Sequence, residues 1–378
     1  MRVRKGSLGG KFERGVLRLA PRTEVLRVYD RARTAHVERV LAIPKLDQVV
    51  VYRRRSYDFP DRPPPNVIQR SRIGSLIAVL RLRPRVIEVN EPGVLGAWSV
   101  LFPVSLLVCF TRALRIGARP QLVFYAIENL DPVPSISLRT HLPNAVVRPL
   151  WSIACRWLFW VADRVAFGTE SSLRMYKDYV PGLSTKIRHK VFPALDMPRL
   201  QNVKKERVVV FLGAFELRKG IDTVMDAWRE IDVSANAKLI FIGKGDLSEQ
   251  VSRYCQETAT ACVCIDPPRD DIYAALAEAS VLVLPSRTST DWREQVGLPI
   301  VEALSMGCEI VTSDSTGLAD WLREHDHFVL PSDASASDYS RAIVGALDRS
   351  CRAVSILDSL PRDHDGRELA DRWMCRWG

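Results

Sequence analysis

From Arg207 onward the chain alternates short β-branched runs with segments of helical period, and the regularity of that alternation leaves few architectures open to it. RVVVFLG at 207–213, KLIFIG at 238–243, ACVCI at 261–265, VLVLP at 281–285 and EIVTS at 309–313 read as strands. Helices are expected between and after them at 220–230, 247–257, 270–278, 297–306 and 317–323. Strand and helix in strict turn imply a doubly wound parallel sheet. The first half opens on the same beat: VLRVY at 25–29, a helix at 34–42, QVVVY at 48–52, NVIQ at 66–69, a helix at 73–82 and VIEVN at 86–90. QLVFYAIE at 121–128, a helix near 148–163 and VAFGTE at 165–170 follow. The expected fold class is therefore α/β, with two Rossmann-like doubly wound parallel-sheet domains.

The polar stretch DMPRLQNVKKE at 196–206 separates the two halves. It sets the expected domains at 1–197 and 198–360, with 361–378 supplying a last helix, Arg367 to Arg376, expected to cross back toward the first domain. A length of 378 residues and a hydrophobic fraction of 47% suffice for two cores. Ordinary Gly and Pro usage, without a fixed repeat, excludes collagen, solenoid and disordered readings.

The eight cysteines form no C-x-x-C pairs, so a structural zinc is not expected, and they read as buried thiols of a reducing compartment. The basic start MRVRKGSLGGKFERG is followed by no apolar segment of the secretory kind, so a cytoplasmic location is expected. Charge is divided unevenly. Residues 1–200 carry 34 Lys and Arg against 15 Asp and Glu, and residues 201–378 carry 20 against 29, for a net +10. A basic first half points to an anionic acceptor, anionic lipid or nucleic acid; its plain alternative is an Arg-rich solubilising surface. Val94 to Phe110 holds 17 uncharged residues interrupted by Pro103, the pattern of a buried or membrane-dipping helix rather than a span. PLWSIACRWLFWVADR at 149–164 sets Trp151, Trp157, Phe159 and Trp160 beside Arg156 and Arg164, with Arg148 just before it, which suits both an interfacial helix and a core one.

The chemistry concentrates in the second half. The loop GAFELRKG, Gly213 to Gly220, ends a strand and runs into a helix, where backbone amides and the helix dipole favour phosphate; Arg218 and Lys219 add positive charge. GKGD supplies Gly243 and Gly245, where a ligand is able to approach the backbone closely. In WREQVGLPIVEALSMG, Glu294 stands before a helix that starts at Gly297, and Glu302 lies within it on the face of Leu298. Both carboxylates are placed to accept from hydroxyls of one ligand, with the amides of Gly297 and Leu298 on its phosphate. The bland alternative for Glu302 is a solvated charge on an amphipathic helix. Arg269-Asp270-Asp271 reads as a helix cap rather than a metal motif.

These motifs, in this order, resemble the C-terminal half of family 4 retaining glycosyltransferases of the GT-B fold. The likeness covers residues 207–330, with weaker support from IEVNEPG at 87–93, AIENL at 126–130, ADRVAFGTESS at 162–172 and VFPALDM at 191–197. It implies transfer of a sugar, here a hexose, with retention, from a nucleoside diphosphate sugar held by the second domain to an acceptor held by the first. That acceptor would be lipid-linked or another anionic glycan at the inner membrane face. Lys219 then matches the diphosphate-binding lysine, Glu294 the carboxylate on the donor sugar and Glu302 the one on the ribose. No cofactor or metal is implied, since Lys219 and backbone amides neutralise the leaving group. Two departures stand out. Ala214 replaces an arginine, for which Arg218 is the candidate substitute, and Glu128-Asn129 replaces a His-Asp pair, with Glu128 the expected acceptor orienter. The residues at 1–23, with Gly6, Gly9 and Gly10, read as an acceptor loop or an extension. Other readings are an inactive nucleotide-sugar-binding protein, a nucleotide-sugar epimerase of the same fold and, for Arg53-Arg54-Arg55 beside Tyr52 and Tyr57, nucleic-acid binding.

Overall fold

The apolar runs of the first half pair side by side because each is returned to the same edge by a crossover connection. A computed structural model describes residues 23–376 apart from 44–45, 57, 115–118, 184–187, 200–204 and 233–235. The expectation for residues 1–22 lies outside the described residues, as does part of the interdomain stretch. β1 (Val25–Ala32), α1 (Thr34–Ala42), β2 (Gln48–Arg55), β3 (Val67–Gln69), α2 (Arg72–Leu82), β4 (Val86–Val89), α3 (Trp98–Ala113) and β5 (Gln121–Ala126) follow in order. α4 (Val133–Thr140), α5 (Asn144–Val161), β6 (Arg164–Phe167), α6 (Glu170–Tyr179) and β7 (Arg188–Val191) complete this lobe. Its sheet is parallel, in the order β3-β2-β1-β4-β5-β6-β7.

The second lobe runs β8 (Glu206–Leu212), α7 (Ile221–Arg229), β9 (Lys238–Gly243), α8 (Ser248–Glu257), β10 (Ala261–Ile265), α9 (Arg269–Glu278), β11 (Ala279–Leu284) and α10 (Leu298–Ser305). β12 (Glu309–Ser313), α11 (Ala319–Glu324), β13 (Phe328–Leu330), α12 (Ala336–Leu347) and α13 (Ala353–Asp358) follow. This sheet is also parallel, in the order β10-β9-β8-β11-β12-β13. Each sheet therefore reverses its strand order once, at β1/β4 and at β8/β11. The crevice beyond the carboxyl ends of such a pair is where a doubly wound sheet receives ligand.

Four sequence expectations are corrected by packing. α4 and α6 were not anticipated, although Thr169 caps α6 by accepting from the Ser172 amide at 3.0 Å. Pro103 does not interrupt α3, which continues to Ala113. By length and composition Leu95–Ala113 would reach across a membrane, yet Val100, Leu101, Val104 and Val108 are buried in the lobe's core while Phe102, Leu106 and Phe110 face outward. The cysteines are not uniformly buried: Cys155, Cys308 and Cys375 are, whereas Cys262, Cys264 and Cys351 are exposed. Asp270 and Asp271 lie in the first turn of α9, where their charge suits the helix dipole, and Pro268 holds the cap position.

The last helix, α14 (Gly366–Cys375), lies against the N-terminal sheet, where Ala370, Met374 and Cys375 share a core cluster with Val25, Val86, Val123 and Ala166. A buried ionic network fastens it there. Arg27 Nε donates to Glu88 Oε2 at 2.9 Å and its Nη2 to Asp371 Oδ2 at 3.3 Å. Arg39 Nη2 reaches Asp371 at 2.7 Å and Glu88 at 3.1 Å. Burial works against the charge on Glu88, but Arg39, Arg367 and Arg27 hold its carboxyl well below the usual range. Removing one partner strands a buried charge. Asp371→Ala should lower stability by about 3 kcal/mol, read as a fall in the urea midpoint, whereas exposed Asp358→Ala should leave the midpoint in place.

Candidate active site

The β8/β11 crevice is built from two loops. The first leaves β8 at Leu212 and is pinned by Phe215, which is fully buried, with its amide donating to the Lys244 carbonyl at 2.9 Å. That packing explains two glycines differently from the sequence reading. A side chain at Gly243 would meet the Gly213 carbonyl at 1.9 Å, and one at Gly245 the Phe215 backbone at 2.6 Å. Both are required by the contact between the two loops, and neither lines the cleft cavity described below. Nor does the first loop run straight into its helix. A 3-10 turn, Leu217–Lys219, intervenes before α7.

That turn presents Lys219, which is buried and whose ammonium pairs with Glu294 Oε2; Ser286 donates to the same oxygen at 3.2 Å. Trp292, two residues before Glu294, places its ring 4.9 Å from the Lys219 nitrogen and 4.5 Å from the Arg218 guanidinium. Arg218 is thereby drawn away: its Nε donates to Glu216 at 2.5 Å, and it does not line the cavity. The substitute suggested for the missing arginine at Ala214 is thus engaged elsewhere. The second loop ends at Gly297, whose φ of +82° turns the chain into α10. Among the described residues the amides of Gly297 and Leu298 have no protein acceptor, as is usual for a first helical turn.

The N-terminal lobe closes the site from the other side. Glu128 follows β5, its Oε1 accepting from the amides of Asn129 and Leu130 at 3.2 Å each. Its other oxygen accepts from Gln295 Nε2 at 2.9 Å, and Asn129 Nδ2 donates to the Glu294 carbonyl at 2.9 Å. Two consecutive residues from each lobe thus hydrogen-bond across the cleft. The cavity between them, about 730 Å³, is lined by Gly93, Glu128, Trp292, Glu294, Gly297 and Leu298 among others. Glu302 does not line it. It lies about 6 Å further along α10, with Arg269 Nη2 donating to it at 3.2 Å. Burial raises its pKa against the pull of Arg269, so it is not the solvated charge of the bland reading. The structure brings Glu294, Gly297, Leu298 and Glu128 to the cavity, sets Lys219 behind it through its pair with Glu294, and holds Glu302, Arg218, Gly213, Gly243 and Gly245 outside it.

Glu91 was missed by sequence reasoning except as part of IEVNEPG. It accepts from the Ile127 amide at 3.0 Å, the Glu128 amide at 3.1 Å and the Tyr176 hydroxyl at 2.8 Å, and so holds the Glu128 loop in place. Burial, with the Glu128 charge beside it, outweighs those donors and pushes its carboxyl up to about 7. Gln295 and Trp292 were quoted in the motif without a role. Only their cross-loop partners give them one.

Two parallel-sheet lobes with a polar cleft between the carboxyl edges of their strands define the GT-B architecture of glycosyltransferases. Residues 206–349 match the family model described as glycosyl transferases group 1. It is 25% identical over 298 residues to the sulfoquinovosyl transferase SQD2 of Arabidopsis thaliana, covering 71% of this chain and 50% of that protein. An uncharacterized glycosyltransferase of Methanocaldococcus jannaschii is 27% identical over 121 residues, covering 31% of this chain and 30% of that protein. The chain thus spans half or less of the length of these curated relatives. Among solved structures, WaaG, a glycosyltransferase of lipopolysaccharide biosynthesis, superposes with a TM-score of 0.58 at 13% identity, covering 92% of this chain and 98% of the other. Anabaena Alr3699/HepE, solved with UDP and glucose, gives 0.57 at 14% identity, covering 92% and 95%. At these identities the structural likeness establishes the fold.

Glu91 sets a pH dependence whose sign follows from its raised pKa. A carboxyl that holds its proton more tightly when folded contributes fully below about pH 4.5 and loses that contribution as the pH rises through about 7. Glu91→Gln should remove this slope. Between pH 5 and 8 the stability difference should move in the variant's favour by about 1–3 kcal/mol, measured by urea unfolding at each pH.

Proposed function

We propose that the protein transfers a hexose from a nucleoside diphosphate sugar, with retention and without a metal ion, to a lipid-linked or otherwise anionic acceptor at the cytoplasmic face of a membrane. One observation carries the reading: Glu294, which lines the cleft with Gly297 and Leu298 and opposite Glu128 of the other lobe, is paired with Lys219 of the loop after β8. A pyrophosphate entering there would take Lys219 and those amides, freeing Glu294 to accept from hydroxyls of the sugar. An ammonium and two aligned amides in a partly dry cleft offset the charge that grows on the departing phosphate. Glu302 and Arg269, a turn deeper, would then meet the nucleoside end of the same extended ligand.

Retention is served by one-sided attack, in which the departing phosphate oxygen takes the acceptor proton while Glu128 orients the acceptor hydroxyl. Glu128 suits that task because its loop amides and Gln295 hold both of its oxygens in place. Among the described residues no three His, Cys, Asp or Glu side chains gather in a way that would hold a metal. The UDP complex of HepE makes uridine nucleotides the first donors to test.

The membrane part rests on the outer helices. On α2, α3 and α5, Ile73, Leu80, Phe102, Phe110, Ile153 and Trp160 are exposed on one side of the N-terminal sheet, in a lobe with excess arginine. Apolar and aromatic side chains with cationic neighbours suit an anionic lipid surface. Ala214 and the engaged Arg218 favour one second reading, a protein that binds nucleotide sugar without turnover.

Lys219→Met should abolish donor stabilisation in thermal shift, where wild type gains about 2.7 kcal/mol from a ligand at roughly 100 times its dissociation constant. Glu294→Gln should lower kcat/KM for sugar transfer by about a hundredfold. Full activity in either variant would refute the site, while nucleotide binding without transfer or hydrolysis by wild type would leave the binding-only reading. Ile153→Ser with Trp160→Ser should release the protein from phosphatidylglycerol vesicles in sedimentation without altering UDP affinity.

A further inference from the structure

The N-terminal sheet has its own reversal point, between β1 and β4, and a second cavity opens beyond the carboxyl ends of those strands. It measures about 440 Å³ and shares Arg33, Gly96, Ile127 and Gln295 with the cleft cavity, so a molecule seated there abuts the donor. Its floor is the ionic network that holds α14. Three guanidinium groups, those of Arg27, Arg39 and Arg367, meet two carboxylates, those of Glu88 and Asp371.

Among the residues that line the cavity, no further unpaired carboxylate cancels the excess. Burial pushes the His36 imidazole down to about 3, leaving it neutral, and its Nδ1 accepts from the Arg33 amide at 2.9 Å, which puts the proton on Nε2. Asp30 is already paired with Arg53, and Glu91 is occupied by Tyr176 and two amides. Arg31 and Arg33 stand exposed at the rim and add to the positive field. Arg367 binds its carboxylates through Nη2, and its Nε is buried without an acceptor among the described residues. Surplus positive charge in a low-dielectric crevice is costly until an anion joins it.

We propose that the β1/β4 crevice is an oxyanion subsite for the acceptor, in which Arg39 of α1 and Arg367 of α14 hold a phosphate ester next to the reacting hydroxyl. Guanidinium groups converging from two helices suit a tetrahedral phosphate, which offers oxygens to both. The inference rests on the glycosyltransferase reading and deepens it by naming the acceptor class. It also gives the end of the chain a part in substrate choice, because Arg367 is supplied by the helix that returns from the other lobe.

Glycerol 3-phosphate is the soluble probe, titrated calorimetrically into the full chain at saturating UDP; phosphatidylglycerol vesicles are the lipid source. Wild type should bind glycerol 3-phosphate saturably, or bind the vesicles in an Arg367-dependent way if the phosphate is read only as a headgroup. Arg367→Gln should weaken that binding by roughly tenfold or more, with partial recovery in Arg367→Lys, while UDP affinity stays at the wild-type value. Arg31→Ala, exposed and outside the buried network, should weaken it by roughly two- to fivefold with a shallower salt dependence, and it decides the matter if Arg367→Gln does not fold. Equal binding by wild type and both variants, or no binding of either probe, overturns the subsite. A protein that binds UDP and its sugars yet ignores both probes keeps the glycosyltransferase reading and loses the subsite; one that binds glycerol 3-phosphate but no nucleotide does the reverse.

Discussion

Buried charge has to be matched, and in this molecule the matching spans the whole chain. Arg27, near the start of the described residues, lies in the first strand with almost no exposure and finds Asp371 in the last helix. An isolated guanidinium in that position would carry a desolvation cost of several kcal/mol. The chain must therefore return across the boundary after completing its second lobe, and that return ties α14, the N-terminal sheet and the β1/β4 crevice together. The hydrogen bonds between Glu128-Asn129 and Glu294-Gln295 then close the front of the cleft.

Parallel topology does the rest of the placing. Every crossover delivers the carboxyl end of its strand to one edge, so the loops after β1, β4 and β5 face those after β8 and β11 with no further device. The two reversal points carry complementary chemistry. On the C-terminal side a lysine and a carboxylate neutralise each other. On the N-terminal side the arginines outnumber their partners, which leaves a standing attraction for negative charge. The buried carboxyl of Glu91 connects the two by fixing the loop that carries Glu128.

Local pattern was strong where the core is continuous. KLIFIG, ACVCI and EIVTS occupy the strands read from them, residue for residue, because a β-branched run between turn residues has one way to bury itself. Thr34 to Ala42 is likewise the helix its period indicates. α4 escaped notice because VPSISLRT has little apolar period, and α6 because its polar sequence hides the cap at Thr169. In the site, the motif order pointed to Lys219, Glu294 and the start of α10, since those residues lie in the loops that follow β8 and β11.

By itself, then, the sequence determined two doubly wound lobes, the position of the loops that build the candidate site and the likeness to glycosyl transferases group 1, all of which follow from short-range periodicity and motif order. Tertiary structure alone decided which charge meets which. It turned Arg218 toward Glu216 and Trp292, made Gly243 and Gly245 a matter of loop packing, buried Glu91 beneath Glu128, and set Arg367 beside Glu88 across 279 residues. The reason is physical. Periodicity is a property of neighbours in the chain, whereas burial and ionic pairing depend on distances that exist only once both sheets and the returning helix have packed.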